Sequence, residues 1–203
     1  MTCRIRRSRP PEDSSAARSK PDLDAARASL EACGQPDGFA TVLAVPDTPS
    51  SVAVAEKVSE ELAEVGIAAE VRPLDAASFY AKDVGDPKSV AANGYGIVLA
   101  TWTADFPTAS SFLSPLVDGR LIRDVGNTNY ARLNSRDVNA LIDKARVEGT
   151  PNAWRDVVAA VDAADVYVPL VETRVQLVAG QRLRNGVVML PYSGHDLATA
   201  GVR

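Results

Sequence analysis

Histidine and cysteine are scarce in this sequence, and their scarcity excludes several classes of functional site. One histidine, His195, and two cysteines, Cys3 and Cys33, occur among 203 residues. These three residues lack the spacing of a zinc site, so no metal centre is predicted, and two cysteines are too few for a disulfide framework. We expect His195 to be an ordinary surface or cap residue, since it has no motif partners.

Catalytic and phosphate-binding motifs are absent as well. The sequence contains neither a Gly-x-Ser-x-Gly elbow nor a Gly-x-x-x-x-Gly-Lys loop. Asp105 with a second carboxylate is the arrangement left for acid–base chemistry, and nothing in the sequence selects that second group. We therefore expect no enzymatic activity and no cofactor, and a small hydrolase is the less favoured alternative.

Long apolar runs are also missing. No stretch approaches the roughly 18 consecutive apolar residues of a membrane helix. The first 20 residues carry the positive charge typical of a signal peptide, but Pro10 and Pro11 stand where its apolar segment belongs. The sequence as given predicts no signal peptide, and a chain expressed in this form is expected to stay in the cytoplasm.

Charge is distributed unevenly along the chain. Residues 1–20 hold six basic and two acidic side chains and almost no large apolar ones. Such a segment cannot offset its ordering entropy, so residues 1–20 are predicted to be a disordered basic tail. The remaining residues carry 16 basic and 24 acidic side chains, a net charge of −8. A body this acidic is a poor partner for nucleic acid.

The rest of the chain has a globular composition, with 46% hydrophobic residues and strand signals that alternate with helix signals. Residues 39–71 contain a strand-like run, a helix opened by Thr48-Pro49 and a second strand, which together predict a β-α-β unit with parallel strands. Further helices are predicted after the cap residues Asp22, Ser135 and Thr150. Trp154, on the apolar stripe of the last helix, is assigned to the core.

The remaining segments carry weaker signals. We expect a short helix over residues 75–81, a loop over 83–92, an extended surface connection over 115–134, strands over 166–170, 174–179 and 187–190, and a loose tail over 193–202. In the surface connection, Arg120, Arg123 and Arg132 either meet a ligand carboxylate or are solvated, and solvation is favoured.

The most informative stretch is an apolar run that ends abruptly in a tryptophan and a carboxylate. Residues 97–99 predict a strand covered on both faces, and Pro107 ends its pairing. Open α/β sheets bind ligands outside the carboxyl ends of their strands, where Trp102 and Asp105 emerge. Asp105 would bind an ammonium group, and Trp102 would offer its ring or its N–H. In the structural alternative, Trp102 is core and Asp105 caps the next turn.

The run Thr101-Trp-Thr-Ala-Asp-Phe-Pro107, followed by Ser111-Phe-Leu113, resembles the Gly-Trp-x-Ala-Asp-Tyr-x-x-Pro motif of the family 5 extracellular solute-binding proteins. These are the peptide-binding and related components of bacterial ABC importers. Further matches follow in the family's order, and together they span about residues 23–202: residues 23–34, Gly38-Phe39, Asn127-Thr-Asn-Tyr130, residues 141–145 and residues 168–170.

The resemblance implies an α/β, periplasmic-binding-protein-like lobe with a mixed, partly parallel sheet flanked by helices. Residues 21–173 would form the second, ligand-binding lobe, and residues 174–203 would be the strands that return to the first lobe. The implied ligand is a peptide or another small amine-bearing solute. Its amine would be held by Asp105, its side chain would contact Trp102, and its backbone would pair with the main chain of Thr101 and Thr103.

The resemblance also implies ABC permease subunits as partners and a location outside the cytoplasm, in the periplasm or as a lipoprotein on the cell surface. Three departures affect the ligand class: Thr101 replaces glycine, where its Cβ would crowd a peptide, Phe106 replaces tyrosine, and Thr108-Ala109 stands in place of the downstream proline.

Length is the largest departure, because half of the two-lobe clamp is missing. We therefore expect a truncated form with reduced or no binding by itself. The alternative is an interaction module, or a non-functional remnant, that exposes its C-terminal strands.

Overall fold

The computed structural model describes residues 21–106, 108–171, 178–186, 189–190, 194–195 and 198–202. The helices in these ranges are α1 (Leu23–Ala32), α2 (Pro49–Ala63), α3 (Pro87–Ala92), α4 (Ala109–Val117), α5 (Arg136–Glu148) and α6 (Pro151–Asp162), with a π-helix at Phe79–Asp83 and a 3₁₀-helix at Gly119–Leu121. The strands are β1 (Phe39–Pro46), β2 (Ile67–Leu74), β3 (Tyr95–Val98), β4 (Leu183–Arg184), β5 (Met189–Leu190), β6 (Gly194–His195) and β7 (Gly201–Val202). The predicted tail over residues 1–20 lies outside the described residues.

A three-stranded parallel sheet in the order β2-β1-β3 organises the N-terminal half. Strands β1 and β2 pair from Phe39 with Ile67 to Pro46 with Leu74, and α2 connects them. The Thr48 hydroxyl accepts a hydrogen bond from the Ser51 N–H (3.3 Å), which caps α2 as its sequence predicts. The predicted parallel β-α-β unit is therefore confirmed. Antiparallel pairing occurs in separate two-stranded ladders, β4 with β7 and β5 with β6.

Apolar side chains cover the parallel sheet on both faces. One face packs on α2 through Leu43, Val45, Ala55 and Ala69, and the other packs on the π-helix and α3 through Ala44, Phe79, Val84, Val90 and Tyr95. A register shift between β1 and β3 places Tyr95 and Val98 on one face and Ile97 and Leu99 on the other. The run over residues 97–99 is covered on both faces, as predicted.

Helices α4, α5 and α6 form a second core, the helical cluster, which contains Leu116, Val117, Val138, Ile142, Ala145, Ala153, Trp154, Val157 and Val161. The predicted cap residues are in place: the Ser135 hydroxyl accepts from the Val138 N–H (3.4 Å), and the Thr150 hydroxyl accepts from the Ala153 N–H (3.3 Å). Trp154 is buried, so its assignment to the core is confirmed.

The N-terminal helix α1 begins as expected, with the Asp22 carboxylate accepting a hydrogen bond from the Ala25 N–H (2.9 Å). None of its side chains is buried, and Arg27 reaches the Glu64 carbonyl oxygen at the end of α2 (3.0 Å). Cys33, at the C-cap of α1, is disulfide-bonded. Every helix in the described part of the chain is too short or too polar to cross a membrane.

Two predictions about residues 75–92 are wrong. The helix expected over residues 75–81 is not found there. The Asp75 carboxylate closes a turn by accepting from the Ala77 N–H (3.2 Å), and the helical residues that follow are the π-helix at Phe79–Asp83. The loop expected over residues 83–92 contains α3. Asp86 caps this helix by accepting from the Lys88 N–H (2.8 Å), and Pro87 occupies its first turn.

The connection over residues 115–134 is not an extended surface segment. It contains the 3₁₀-helix, and its polar side chains Asp118, Asn127 and Asn129 are buried. Each of the three makes a hydrogen bond within the connection, Asp118 with Arg120, Asn127 with Asn129 and Asn129 with Leu133, and these bonds offset part of the cost of burying polar groups.

The C-terminal expectations have mixed outcomes. Residues 166–170 form no strand, because no strand pairs with them among the described residues. Tyr167 is instead fixed by a hydrogen bond from its hydroxyl to the Leu116 carbonyl oxygen (2.7 Å). Most of the strand predicted over residues 174–179 lies outside the described residues. The strand predicted over 187–190 is found as β5, whereas the predicted loose tail over 193–202 contains β6 and β7.

Candidate ligand-binding segment

Residues 101–106, called segment 101–106 below, leave the carboxyl end of the parallel sheet. The Leu99 N–H still donates to the Ala44 carbonyl oxygen (2.9 Å), as a continuation of β3. Residues 100–106 and Thr108 have no regular secondary structure, and α4 begins at Ala109. The segment is therefore placed where parallel sheets bind ligands, as the sequence predicts.

Exposure alternates along this segment. Thr101, Thr103 and Asp105 are exposed, whereas Trp102 and Ala104 between them are half-buried. A period of two is the pattern of an extended backbone with one face packed and one face open. The structure thus brings three of the four predicted site residues to the open side and turns Trp102 to the packed side.

Trp102 anchors the segment to the helical cluster. Its Nε1–H donates to the Phe112 carbonyl oxygen in α4 (2.9 Å), and its ring packs against the cluster. The N–H of Trp102 is therefore engaged within the protein. Its predicted role as a wall for a ligand side chain stays a prediction and concerns the ring. The aromatic side chain most exposed beside Asp105 is that of Phe106, which is 67% exposed.

Tyr80 holds the first residue of the segment, and sequence reasoning missed it. The Thr101 N–H donates to the Tyr80 hydroxyl oxygen (3.1 Å), and the two hydroxyl groups lie 3.0 Å apart. Tyr80 belongs to the π-helix and contacts Phe79 edge-on, with ring centroids 5.0 Å apart. Its other aromatic neighbour is Tyr130, at 6.0 Å, whose pKa is raised to about 12 by burial and by the proximity of Tyr80.

The last residue of the segment is held by α4. The Phe106 N–H donates to the Ser111 hydroxyl (3.0 Å), and the Phe106 carbonyl oxygen accepts from the Thr108 N–H (2.8 Å). Thr108 is the cap of α4, because its hydroxyl accepts from the Ser111 N–H (3.1 Å). The alternative in which Asp105 caps this turn is therefore wrong.

Between these two attachments the main chain is free. No backbone N–H or C=O of residues 102–105 makes a hydrogen bond to any residue that the structure describes. The Asp105 carboxylate is exposed and likewise has no hydrogen-bond or ion-pair partner among those residues. An open stretch of main chain next to a free carboxylate is the geometry that an extended, amine-bearing chain would satisfy.

The arginines of the following connection do not contribute to this surface equally. The Arg120 guanidinium binds the Asp118 and Asp143 carboxylates with hydrogen bonds of 2.7–2.9 Å, so it is not a free ligand group. Hydrogen bonds from Arg120 hold the pKa of both carboxyl groups below its ordinary value. Arg123 and Arg132 are exposed, as expected of solvated side chains.

The Asn127-Thr-Asn-Tyr130 motif acts as a structural joint. The Asn127 N–H donates to the Gly85 carbonyl oxygen after the π-helix (2.8 Å), and the Thr128 hydroxyl donates to the Pro115 carbonyl oxygen in α4 (2.8 Å). The Asn129 amide exchanges two hydrogen bonds with the Leu133 backbone (2.8 and 2.9 Å). The motif therefore connects the sheet half to the helical half under Tyr80.

Two surface cavities lie away from the segment. One, of about 620 Å³, is lined by β1, β2 and α2 and includes Thr41, Ser59 and Ala69. The other, of about 530 Å³, is lined by Arg120, Asn134, Arg136, Asn139, Ala140 and Asp143. Neither cavity includes residues 101–106, so the predicted ligand groups lie on an open surface and not inside these cavities.

Known proteins share the fold of this chain. Residues 8–122 match the family model described as bacterial extracellular solute-binding proteins, family 5 Middle. The chain is similar to the solved structure of clavulanic acid biosynthesis oligopeptide binding protein 2, with 36% sequence identity and a TM-score of 0.82. That match covers 89% of this chain and 34% of the other, so the chain spans about a third of its relative's length.

More distant structures share the fold. DppA from Helicobacter pylori, a periplasmic binding protein solved with the peptide STSA, is 22% identical with a TM-score of 0.62, over 73% of this chain and 28% of that one. HbpA2 from Haemophilus parasuis is 20% identical with a TM-score of 0.65, and the match covers 90% of this chain and 36% of that one. No curated protein matches.

Proposed function

Because the chain belongs to the family 5 bacterial extracellular solute-binding proteins, we propose that it forms part of the substrate-binding component of an ABC importer. Segment 101–106 would capture the amino-terminal end of a peptide, or a similar amine-bearing solute. The chain has the α/β, periplasmic-binding-protein-like fold of that family. The named relatives are binding proteins, so the proposal is one of binding and not of catalysis.

One observation carries the proposal: the main chain of residues 102–105, beside the carboxylate of Asp105, is unpaired within the part of the chain that the structure describes. An extended peptide would satisfy the free N–H and C=O groups by adding a strand to this edge. Its ammonium group would form a charge-assisted hydrogen bond with Asp105, worth roughly 1.5–3 kcal/mol when the pair is desolvated together. Backbone pairing and amine recognition thus converge on the same few residues.

The ligand class follows from the relatives as well as from the surface. One relative is named as an oligopeptide binding protein, and a dipeptide binding protein from Pseudoalteromonas sp. SM9913 was solved with Met-Leu. Another structure of the same fold, MoaA, was solved with mannopinic acid, which is why a similar solute stands beside peptides in the proposal.

We extend the proposal to location and partners. Family 5 members are described as extracellular, and we place this protein outside the cytoplasm with ABC permease subunits as its partners. The acidic body disfavours nucleic acid as a partner.

The described segment would form one wall of a site and not a closed clamp. The oligopeptide binding protein is about two and a half times as long as this chain, and closure of two lobes removes water and strengthens the electrostatic contacts of the ligand. We propose that the 203-residue chain by itself binds peptides only weakly, with dissociation constants of roughly 1 mM, and residues 174–203 would then pack against another lobe. Micromolar peptide binding by this chain in isothermal titration calorimetry would contradict that statement.

The amine contact is tested by substituting Asp105→Asn. We expect the affinity for trialanine, followed by NMR titration of the ¹⁵N-labelled chain, to fall roughly tenfold or more, because the charge-assisted hydrogen bond is lost. N-acetylated trialanine lacks the charge and should bind both proteins equally weakly.

The matched control is Asp156→Asn on the exposed side of α6, which removes the same charge outside the segment and should leave the affinity unchanged. An equal loss of affinity for both peptides in Asp105→Asn would contradict the proposed amine contact.

A second candidate function is an interaction module. It is favoured by the exposed apolar side chains in the C-terminal part of the chain, which are Val168, Leu170, Val171, Val178, Leu183 and Val202. Such a group is typical of a surface that another chain or lobe covers.

A further inference from the structure

Segment 101–106 offers only a short edge to a ligand, and both ends of that edge are closed by hydroxyl groups of the protein itself. Tyr80 accepts the N–H of Thr101 at one end, and Ser111 accepts the N–H of Phe106 at the other. We infer that the pairing edge is limited to residues 102–105 and that it recognises the first two or three residues of a peptide. This inference rests on the proposed function.

The two ends are closed because their N–H groups already make hydrogen bonds within the protein. The N–H groups of Thr101 and Phe106 already have acceptors at 3.1 and 3.0 Å, so a ligand carbonyl would have to displace a satisfied bond and would gain almost nothing. The Phe106 carbonyl oxygen is also occupied, by the Thr108 N–H (2.8 Å). Residues 102–105 make no such bonds within the described chain, so ligand pairing there adds hydrogen bonds without breaking any.

The length of the free edge sets the length of the ligand. Four residues span at most about 14 Å when fully extended. The backbone groups of successive residues point to opposite sides, so only two of the four residues face any one neighbour. Two facing residues pair with a stretch of about three ligand residues.

Asp105 fixes the direction of that stretch. It lies at the Phe106 end of the free edge, where the backbone bends. A peptide whose amine binds Asp105 can pair with the edge only by running back toward Thr101. At Thr101 it meets the side chain of this residue and the hydroxyl of Tyr80. Residues beyond the third would therefore leave the edge without adding main-chain hydrogen bonds.

The experiment uses the ¹⁵N-labelled 203-residue chain and two NMR measurements. Amide hydrogen exchange is measured first, and we expect protection at Thr101 and Phe106 and fast exchange at residues 102–105. The chain is then titrated with alanine peptides of two to five residues. Affinity should rise roughly two- to tenfold from dialanine to trialanine, the effect of about one main-chain hydrogen bond, and should then change less than about twofold.

Tyr80→Phe tests the closed end directly, with Tyr130→Phe as the matched control on the neighbouring ring. Tyr80→Phe should lower the protection of Thr101 roughly fivefold, because it removes one hydrogen bond, while the protection of Phe106 is unchanged. In this variant, the affinity should also keep rising up to tetraalanine before it levels off, because the freed Thr101 N–H can pair with one more peptide residue. Tyr130→Phe should change neither.

The outcomes separate the inference from the proposed function. Shifts at residues 102–105 with affinity that keeps rising to pentaalanine would overturn the length limit and leave the proposed function standing. Protection at residues 102–105 equal to that of Thr101 would overturn the open edge itself. The expected exchange pattern without peptide-induced shifts at millimolar peptide would overturn the proposed function, and the length limit with it.

Discussion

Asp118 is only 1% exposed, and two arginines hold its carboxylate. Arg120 donates two side-chain hydrogen bonds to it (2.8 and 2.9 Å), its backbone N–H donates a third (3.1 Å), and Arg146 lies 3.5 Å away. These partners hold the pKa of Asp118 below its ordinary value. A buried carboxylate with this many donors contributes to stability only while it is ionised.

We predict that Asp118→Asn lowers the free energy of unfolding at pH 7 by about 2 kcal/mol, the usual size for hydrogen bonds to a charged group. The folded-state pKa lies below the unfolded value of about 4, so this contribution is complete above pH 4 and is lost as the pH falls through the folded value. Urea unfolding should therefore show a difference between the two proteins at neutral pH that shrinks at pH 2–3.

Asp143→Asn serves as the control, because Asp143 also binds Arg120 but its side chain is 54% exposed. Solvent screens an exposed pair, so the loss of Asp143 should lower the free energy of unfolding much less than the loss of Asp118 does. A difference between wild type and Asp118→Asn that stays constant down to pH 2 would show that the charge of Asp118 is not what stabilises the protein.

At the scale of single residues, part of the candidate site could be predicted from the sequence and part could not. Asp105 and Trp102 were identifiable because a carboxylate and an aromatic residue follow directly on an apolar run. Tyr80 was not, because its hydrogen bonds to Thr101 cross 21 positions of the sequence. Such a contact depends on how the π-helix packs on the sheet, and no local pattern records it.

Two glycine turns meet where β1 and β2 begin. Gly38 and Gly66 both have positive φ, of 79° and 87°. A Cβ added at Gly38 would overlap the Gly66 carbonyl group, so the two turns are in direct contact. This contact aligns the two strands at the first pair of their register, Phe39 with Ile67.

We predict that Gly38→Ala is strongly destabilising, whereas Gly34→Ala is only mildly so. Gly34 has a similar φ of 71° but no atom within 4 Å of the added Cβ, so it bears only the left-handed backbone cost of about 1–2 kcal/mol. Gly38 bears this cost and a further 1–3 kcal/mol or so for overpacking. Thermal unfolding of the two variants measures the difference, and equal losses would contradict the turn contact.

Element prediction succeeded where the signals are local. Helices α2 and α6 begin with Thr-Pro, whose hydroxyl caps the helix and whose proline fits its first turn, and both were predictable. Helix α3 begins with Asp86-Pro87, which is the same signal, but Gly85 beside it favoured a loop. Residues 166–170 have strand propensity without a strand to pair with, and propensity alone does not reveal a missing neighbour.

At the scale of the whole molecule, several large apolar side chains are exposed in the C-terminal part. Val171 and Val178 are 78% and 85% exposed, and they flank residues that the structure does not describe. We predict that the chain associates as its concentration rises, because burying this surface is favourable. Light scattering over a concentration series should show an average mass that increases above that of the monomer.

Substituting Val171→Lys together with Val178→Lys should reduce this association. Val147→Lys is the matched control, since Val147 is 88% exposed but lies on α5, away from the C-terminal part. A sharp monomer at high concentration for the wild-type chain would contradict the prediction, and an equal reduction by the control would show that added charge alone is responsible.

Segment 101–106 connects the π-helix, which packs on the sheet, with the helical cluster. Tyr80 in the π-helix binds its first residue, Thr101, and the next residue, Trp102, is bound to α4. The sheet half and the helical half cannot separate without breaking one of these two attachments. A solute bound to this segment would therefore stabilise the sheet and the helical cluster together, and both should unfold at a higher temperature in its presence.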